Sequence, residues 1–448
     1  MENLEHDRLQ QLLTEQRDLA LEQIQKLPVP EIADLIRTLP IELAAEVVKQ
    51  LPIEVSVEVF DEPTLRRRRE LVDHLDTNLV AAIAERMSPD ERADFFGNLN
   101  ETTRAHLLRF LSRETQAELL ELLAYAPTSA GGLMTTEFVE VYPDQTAEQA
   151  LTHVRRVALT VETVYSIYAI DRSTEKLLGA LSLRDLVIAD PQRLVAELMN
   201  PETISVHTDT DQEEVARLIA MYNFLAVPVV DDAHRILGIV TVDDILDVLS
   251  EEQSEDLQKI SAMEPLADAY FRVGPWSMVR KRASWLVGIF LGELFTGTAL
   301  RHFDGAIAAA RMLVFFVPLI ISSGGNSGSQ SATLVVRGLA TGEIRLREWL
   351  RVLAREVLVG SVLGMILGTV AFGRALMWGN GWLVAMSVAL TLLAVVTLGT
   401  IVGALLPIMF KRMGFDPAVS STPFISTLVD VTGIVIYFTI AGRILGLN

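Results

Sequence analysis

The chain contains no cysteine, which removes disulfides, thiolate metal ligands and cysteine nucleophiles in one step. A basic surface is missing as well: 38 Lys+Arg stand against 58 Asp+Glu, a net charge of −20. Nucleic acid, whose phosphates need a basic partner, is therefore not an expected ligand, and cations are. The opening MENLEHDRLQ is polar and acidic and has no apolar run after a basic start. No signal peptide is expected, and the soluble part should stay in the cytosol. No motif pairs a nucleophile with a base, so an enzyme is not expected.

What is plentiful is apolar surface. Hydrophobic residues make up 50% of the 448 and mean hydropathy is +0.33, which points to a membrane protein of two or three domains. Residues 1–275 carry 24 Lys+Arg against 51 Asp+Glu and residues 276–448 carry 14 against 7, so the net −20 divides into −27 and +7. An acidic soluble part precedes a basic membrane part.

Between residues 20 and 125, Leu, Ala, Glu and Arg recur at helical spacing, and Leu-Pro returns at 27/28, 39/40 and 51/52. A twelve-residue period opened by Pro predicts short stacked helices, because Pro suits a helix's first turn. The arginine run at 66–69 reads as a solvated helix face. A longer repeat follows, YSIYAIDRSTEKLLGALSLRDLV from Tyr165 to Val187 and FLAVPVVDDAHRILGIVTVDDIL from Phe224 to Leu246. Each copy holds an apolar strand, an Asp-containing turn and a second strand entered through Gly179 or Gly238. Asp185 or Asp244 then marks a helix start, where a carboxylate caps free N–H groups. A Leu-Met pair, 133/134 or 198/199, precedes each copy. The pattern resembles a tandem pair of CBS domains, the modules named after cystathionine beta-synthase. Such pairs often hold adenine nucleotides between their copies, and the resemblance assigns Arg184, Asp185 and Phe224 to ATP.

An acidic helical stretch at 249–270 leads to five apolar segments, at 283–303, 307–336, 350–376, 382–410 and 420–445. Each can cover a hydrocarbon core of about 30 Å, which takes roughly 20 helical residues. With a cytosolic N-terminus, ten Lys/Arg flank the inner ends and four (Arg301, Arg311, Arg374, Arg443) the outer ends. That bias places the C-terminus outside a cell membrane, inner or plasma.

The second segment contains VPLIISSGGNSGSQSATLVVRG, residues 317–338. Its Pro, Gly and hydroxyl residues are expected to interrupt the helix at bilayer depth, where a break must face protein or a wet cavity. Asn326 beside the glycines points to pore lining; close helix packing through small residues is the alternative. The fifth segment has one acidic residue, Asp430, with Pro423 and Gly433 near it. A carboxylate at the membrane centre costs about 2.5–3.5 kcal/mol on insertion scales, and such residues mark ion or proton paths. Apart from His302 at an edge the segments hold no His, so their oxygen donors suit hard cations. Mg²⁺, which keeps its waters and takes few carboxylates, fits a wide site of low charge, while Mn²⁺, Co²⁺ and Ca²⁺ stay open on these grounds. In a two-fold dimer, two copies of Asp430 would face one axis.

Taken in order, with GGNSGSQSAT in the second span and LVDVTGIVIY in the fifth, the chain is similar to the MgtE family of magnesium channels over almost its whole length. The resemblance implies a multi-domain membrane protein. Its parts are an all-α N-terminal domain (1–128), an α/β tandem CBS pair (129–249), a connecting plug helix (250–275) and a five-helix transmembrane domain (276–448). It implies a homodimer with one pore on its axis, Asp430 attracting hydrated Mg²⁺, and Gly324, Gly325, Asn326 and Thr422 lining the path. Thr422 replaces the family's Asn before the Pro. Closure at high cytosolic Mg²⁺ is implied through ions bridged by Asp90, Asp94, Asp244, Asp247, Glu252, Glu255 and Asp256, with Glu213 and the backbone of Gly132. Asp416 would meet the CBS surface near Ala220 and Asn223, the latter an Asn where the family has Asp. Independently of any family, the acids from Asp244 to Asp256 recur every three or four residues along one helix side. A net −27 must repel itself wherever such surfaces meet. The alternatives are a proton- or ion-coupled secondary transporter of divalent cations and a nucleotide-sensing membrane anchor.

Overall fold

The twelve-residue period runs further than its Leu-Pro signature. In the computed structural model, which describes residues 17–446 except 63, 64, 66 and 267–272, nine short helices follow one another. They are α1 (Arg17–Ile24), α2 (Val29–Thr38), α3 (Ile41–Gln50), α4 (Ile53–Asp61), α5 (Arg68–Val72), α6 (Thr77–Ala84), α7 (Pro89–Gly97), α8 (Glu101–Leu108) and α9 (Arg113–Leu122). The opening decapeptide, Arg66 and 267–272 of the expected connecting helix lie outside the described residues. N-caps fall at Pro28, Pro40, Pro52, Asp76, Ser88, Asn100 and Ser112, all on one twelve-residue register. Pro is the cap itself, one residue earlier than expected. Asp76, Asn100 and Ser112 accept first-turn N–H groups, doing with a side chain what Pro does by fixing φ. The same four inward positions repeat: Ile32, Ala33, Leu35 and Ile36 in α2 become Ala44, Ala45, Val47 and Val48 in α3. Each unit is too short to bury its apolar face alone, so neighbours stack.

The arginine run is not a solvated face. Arg68, Arg92 and Arg104 fall on the first of those inward positions, every twelve or twenty-four residues. Arg68 donates to the Asp61 and Glu62 carbonyls at 3.0 and 3.1 Å, and Arg104 to Gly97 and Leu99 at 3.2 and 3.1 Å. Arg67 reaches the carbonyls of Ile36, Arg37 and Leu39. Short helices leave many C-terminal carbonyls open, and guanidinium forks close them. Arg69 is exposed, as expected of the whole run.

The longer repeat forms two sheets. In the first, β1 (Val139–Val141) pairs parallel with β2 (Ser166–Ile170), which pairs antiparallel with β3 (Leu177–Ser182). The second repeats this with β4 (Val206–His207), β5 (Ala226–Val230) and β6 (Ile236–Thr241). Helices α10 (Ala130–Leu133), α11 (Ala147–Val157), α12 (Leu183–Ile188), α13 (Val195–Leu198) and α14 (Gln212–Tyr222) connect and cover them. The Leu-Met segments cross between copies: Thr135 N–H bonds the Ile239 carbonyl at 2.9 Å, and Asn200 N–H that of Ala180 at 2.8 Å. A Cβ at Gly238 would stand 2.5 Å from Thr135 O, and one at Gly179 2.8 Å from Asn200 O. The glycine in each second strand is what admits the other copy's linker. Helix α15 (Val242–Ile260) runs from the second copy into the acidic stretch without a break at 249–250.

The chain divides into two units, Met1–Ser250 and Glu251–Asn448. The second contains α16 (Pro275–His302), the short α17 (Asp304–Ala309), a 3₁₀ turn at Arg311–Phe316, α18 (Val317–Ala340), α19 (Trp349–Met377), α20 (Trp382–Arg412) and α21 (Thr422–Leu445). Among the described residues, five segments are long and apolar enough to cross a membrane. The expected interruption of the second span is absent: α18 is one helix of 24 residues. Pro318 lies in its first turn, where no N–H is needed. Ser323, Ser329 and Thr333 turn their hydroxyls back to carbonyls four residues earlier, at 2.7, 2.8 and 3.0 Å. The glycines are there for contact. A Cβ on Gly324 would meet Val395 and Val429 at 2.6 and 2.7 Å, and one on Gly328 the Gly399 carbonyl at 3.0 Å. Close packing through small residues therefore accounts for the GGNSG motif's backbone. Pro423 likewise sits in the first turn of α21 and breaks nothing near Asp430.

Candidate ion path and regulatory carboxylates

The packing of α18 splits its motif. Gly324 and Gly325 are buried against α20 and α21, whereas Asn326 points to the exposed side. Ser322, Asn326, Gln330 and Thr333 are all exposed and line one face of α18, and the Asn326 amide donates to Ser322 Oγ at 3.3 Å. Asn and Gln amides cannot satisfy both donors and acceptors from their own helix, so this face suits water or hydrated cargo better than lipid. Asp430 lies partly buried on α21, and its Oδ1 is enclosed with no hydrogen-bond partner among the described residues. Thr422 opens the same helix, next to Ser421 as N-cap.

Two further acids inside the spans were missed by the sequence reading. One is Glu293 on α16, in the first span. Gly292 beside it seats α16 closely on α21, a Cβ there standing 2.9 Å from Thr427 Cγ2. Glu356 on α19 accepts the Ser331 hydroxyl at 2.7 Å, and its carbonyl accepts from Thr400 at 3.1 Å, tying α18, α19 and α20 together. The rule that singled out Asp430, an acid within an apolar stretch, would have found both.

In the first unit, the charge of Asp90 acts on Asp244. Burial is the main cause that pushes the Asp90 carboxyl up, against hydrogen bonds from Ser88 and the backbone, and Asp243 adds to the rise. Asp244 is raised to about 8 by burial and then by Asp90, against its hydrogen bond from Thr241. Burial likewise lifts Glu91 to about 8 and Asp61 to about 7, with the Arg68 guanidinium opposing it in each case. Asp61 Oδ1 and Asp90 Oδ1 are enclosed without hydrogen-bond partners among the described residues. These are hard oxygen donors, the kind Mg²⁺ prefers. Among the described residues, no group of three or more His, Cys, Asp or Glu is arranged to hold a metal ion. Asp94 is exposed and accepts from Asn98 at 2.9 Å. Asp247 is exposed, and its charge is felt at Glu62. Gly132 packs so that a Cβ would lie 2.2 Å from Ala126 O. Glu213 and Ala220 lie exposed on α14, and Asn223 ends that helix in the left-handed region at φ 54, which Asn tolerates well.

The raised carboxyls give a pH prediction with a definite sign. Their folded pKa values lie above the unfolded ones near 4, so their contribution is full at low pH and is lost as pH rises through 7 to 8. In EDTA, limited proteolysis of the full-length protein should therefore cut between the N-terminal helices and the sheets faster at pH 8.5 than at pH 6. Equal rates would mean that these acids are not buried together in solution.

In the second unit, Glu255 and Asp416 share Lys259, whose Nζ lies 2.5 Å from Glu255 Oε1 and 2.7 Å from Asp416 Oδ2. Burial works against the ammonium, but its bonds to Asp416 and Glu255 outweigh that and hold its pKa above the lysine range. Asp256 is raised to about 6 by burial, then by Asp416 and Glu252. Of the residues that the CBS resemblance assigns to nucleotide, Arg184 is exposed and the Asp185 carboxylate accepts from Ser182 N–H and hydroxyl at 2.9 and 2.6 Å. Phe224 stacks on exposed Tyr222 at 5.4 Å and 13°, an aromatic neighbour the sequence reading did not single out.

A helical repeat, a paired α/β module and five apolar helices, three of them with an acid inside, define a multi-pass membrane protein of a transport type. Comparison with known proteins agrees segment by segment. The divalent cation transporter family matches residues 317–440, the MgtE intracellular N domain 27–128, and CBS domains 130–191 and 195–251. The magnesium transporter MgtE of Thermus thermophilus is 43% identical over 361 residues, 80% of each chain. That of Enterococcus faecalis is 36% identical over 73% of this chain and 72% of its own. A crystal structure of the cytosolic domain of the Mg²⁺ channel MgtE in complex with ATP is 39% identical, with TM-score 0.52, covering 54% of this chain and 99% of that one. The chain belongs to the MgtE family, a family of transporters and not of enzymes.

Proposed function

We propose that the protein is a homodimeric, Mg²⁺-selective channel of the cell membrane, with its N-terminus in the cytosol and its C-terminus outside, serving magnesium uptake and homeostasis. The observation that carries this reading is the exposed polar face of α18 in a span otherwise fit for lipid. Two such faces about a two-fold axis, with Asp430 from each protomer, make a wet path with fixed negative charge. Gly324, Gly325 and Thr422 shape its wall. Patch-clamp recording of the purified protein tests it: current should reverse at the Mg²⁺ Nernst potential and ignore a pH gradient. Flux that follows the pH gradient overturns the channel in favour of a coupled transporter.

Cytosolic Mg²⁺ is proposed to inhibit opening by bridging acids of the soluble part. The enclosed oxygens of Asp61 and Asp90 and the action of Asp90 on Asp244 support this; Asp94, Glu213, Asp247, Glu252, Glu255 and Asp256 belong to the same set, with the backbone of Gly132, the CBS positions Ala220 and Asn223, and Asp416 from the loop before α21. Moving such an equilibrium from mostly open to mostly closed takes about 5.5 kcal/mol of differential binding, which several weak sites can supply together. Millimolar Mg²⁺ should slow proteolysis of the soluble domains several-fold; an unchanged digestion pattern would remove the closure. ATP is proposed to bind the CBS pair through Arg184, Asp185 and Phe224, as the ATP complex of the 39% identical cytosolic domain suggests.

A further inference from the structure

One side chain joins the connecting helix to the loop before α21. Lys259, in the last turn of α15, sits between Glu255 and Asp416 at 2.5 and 2.7 Å. Asp416 is engaged at both oxygens. While Oδ2 takes the ammonium, Oδ1 accepts the Ala418 N–H at 2.8 Å and closes the 3₁₀ turn Pro417–Val419, three residues before α21 begins. The side chains are 24% and 34% exposed, so water screens them less than it does a surface pair. Lys259 is also surrounded by carboxylates that repel one another: Glu252, Glu255 and Asp256 come from its own helix and Asp416 from the loop, with Asp416 and Glu252 both acting on Asp256. Without a cation, helix and loop would repel each other. A lysine on the helix supplies that cation at a fixed place, whatever the ion concentration.

We infer that Lys259 is a built-in cation that latches the connecting helix onto the loop leading into α21 in the absence of any divalent ion, and so sets the Mg²⁺ level at which that helix acts on the channel. The latch stands on its own geometry, whereas the effect on the Mg²⁺ level rests on the proposed inhibition by cytosolic Mg²⁺. Divalent ions then reinforce a helix already docked on the loop and do not have to assemble it.

Hydrogen exchange of the full-length protein in lipid nanodiscs with EDTA reads the latch. Lys259→Met should speed exchange across residues 413–421, Lys259→Arg should leave it near wild type, and Asp416→Asn, which keeps a capping oxygen, should add little to Lys259→Met. Unchanged exchange in Lys259→Met, or additive effects of the two substitutions, overturns the latch. In patches, the half-inhibitory cytosolic Mg²⁺ should rise about fivefold in Lys259→Met, equivalent to about 1 kcal/mol, with the maximal current kept. An unchanged half-inhibitory concentration overturns the role in setting the Mg²⁺ level. A wild-type current indifferent to cytosolic Mg²⁺ overturns the proposed inhibition instead and does not touch the exchange result.

Discussion

Asp430→Ala is expected to abolish Mg²⁺ current and Mg²⁺-dependent growth while the protein still reaches the membrane. Removing a carboxylate from a membrane helix relieves an insertion cost of about 2.5–3.5 kcal/mol, so folding and insertion should not suffer. Conduction should. A divalent ion that keeps a water layer and stands about 5 Å from one carboxylate gains on the order of 6 kcal/mol at an effective dielectric constant near 20. Every 1.4 kcal/mol is tenfold, so losing even half of this costs roughly 100-fold in occupancy. Asp430→Asn should fail almost as badly, because it keeps the shape and loses the charge. Wild-type current in Asp430→Asn, with surface expression matched by blotting, would remove the carboxylate from the path. The exposed polar face of α18 would then have to act without it.

The second large effect is on stability. Gly403→Ala should destabilise the membrane unit by about 1–3 kcal/mol or more, as overpacking in a close contact does. A Cβ there would stand 2.1 Å from the Gly328 carbonyl oxygen and 2.8 Å from its carbon. These are backbone atoms, which cannot rotate away, so α18 and α20 must separate. Because Asn326 rides on α18, the polar face would move with it. Gly373→Ala and Gly442→Ala provide the control, since a Cβ at either meets nothing within 4 Å; there the gain in helix propensity should leave stability level or slightly higher. Thermal unfolding in detergent separates the two classes, and a Gly403→Ala melt equal to wild type would contradict the observed helix contact.

The N-terminal repeat was more legible than the Leu-Pro pairs alone suggested. After Pro52 the caps change from Pro to Asp76, Ser88, Asn100 and Ser112, but the apolar residue before each (Leu75, Met87, Leu99, Leu111) keeps the period. Caps of different chemistry do one job, and a search for Pro alone sees only the first kind. The arginines misled for a related reason. A guanidinium reads as surface by composition, yet at an inward register position it closes carbonyls that short helices cannot. In α18, Gly and Pro read as a break. Where the Pro falls in the first turn and the glycines face another backbone, the same residues make a straight, tightly packed helix.

Alternating apolarity, the two repeats, the five spans and an acid within a span are properties of local order along the chain, and the sequence by itself determined them. It also determined the hard-cation preference, because Cys is absent and the spans hold no His apart from His302 at an edge. Which side of α18 faces Val395 and Val429 and which is left open, that the charge of Asp90 acts on Asp244, and that Lys259 lies between Glu255 and Asp416 depend on the nearness of residues as much as 157 positions apart. Helical periodicity tells which residues share a face but not what that face meets. Only packing in three dimensions decided that, because burial and charge energies belong to neighbours in space.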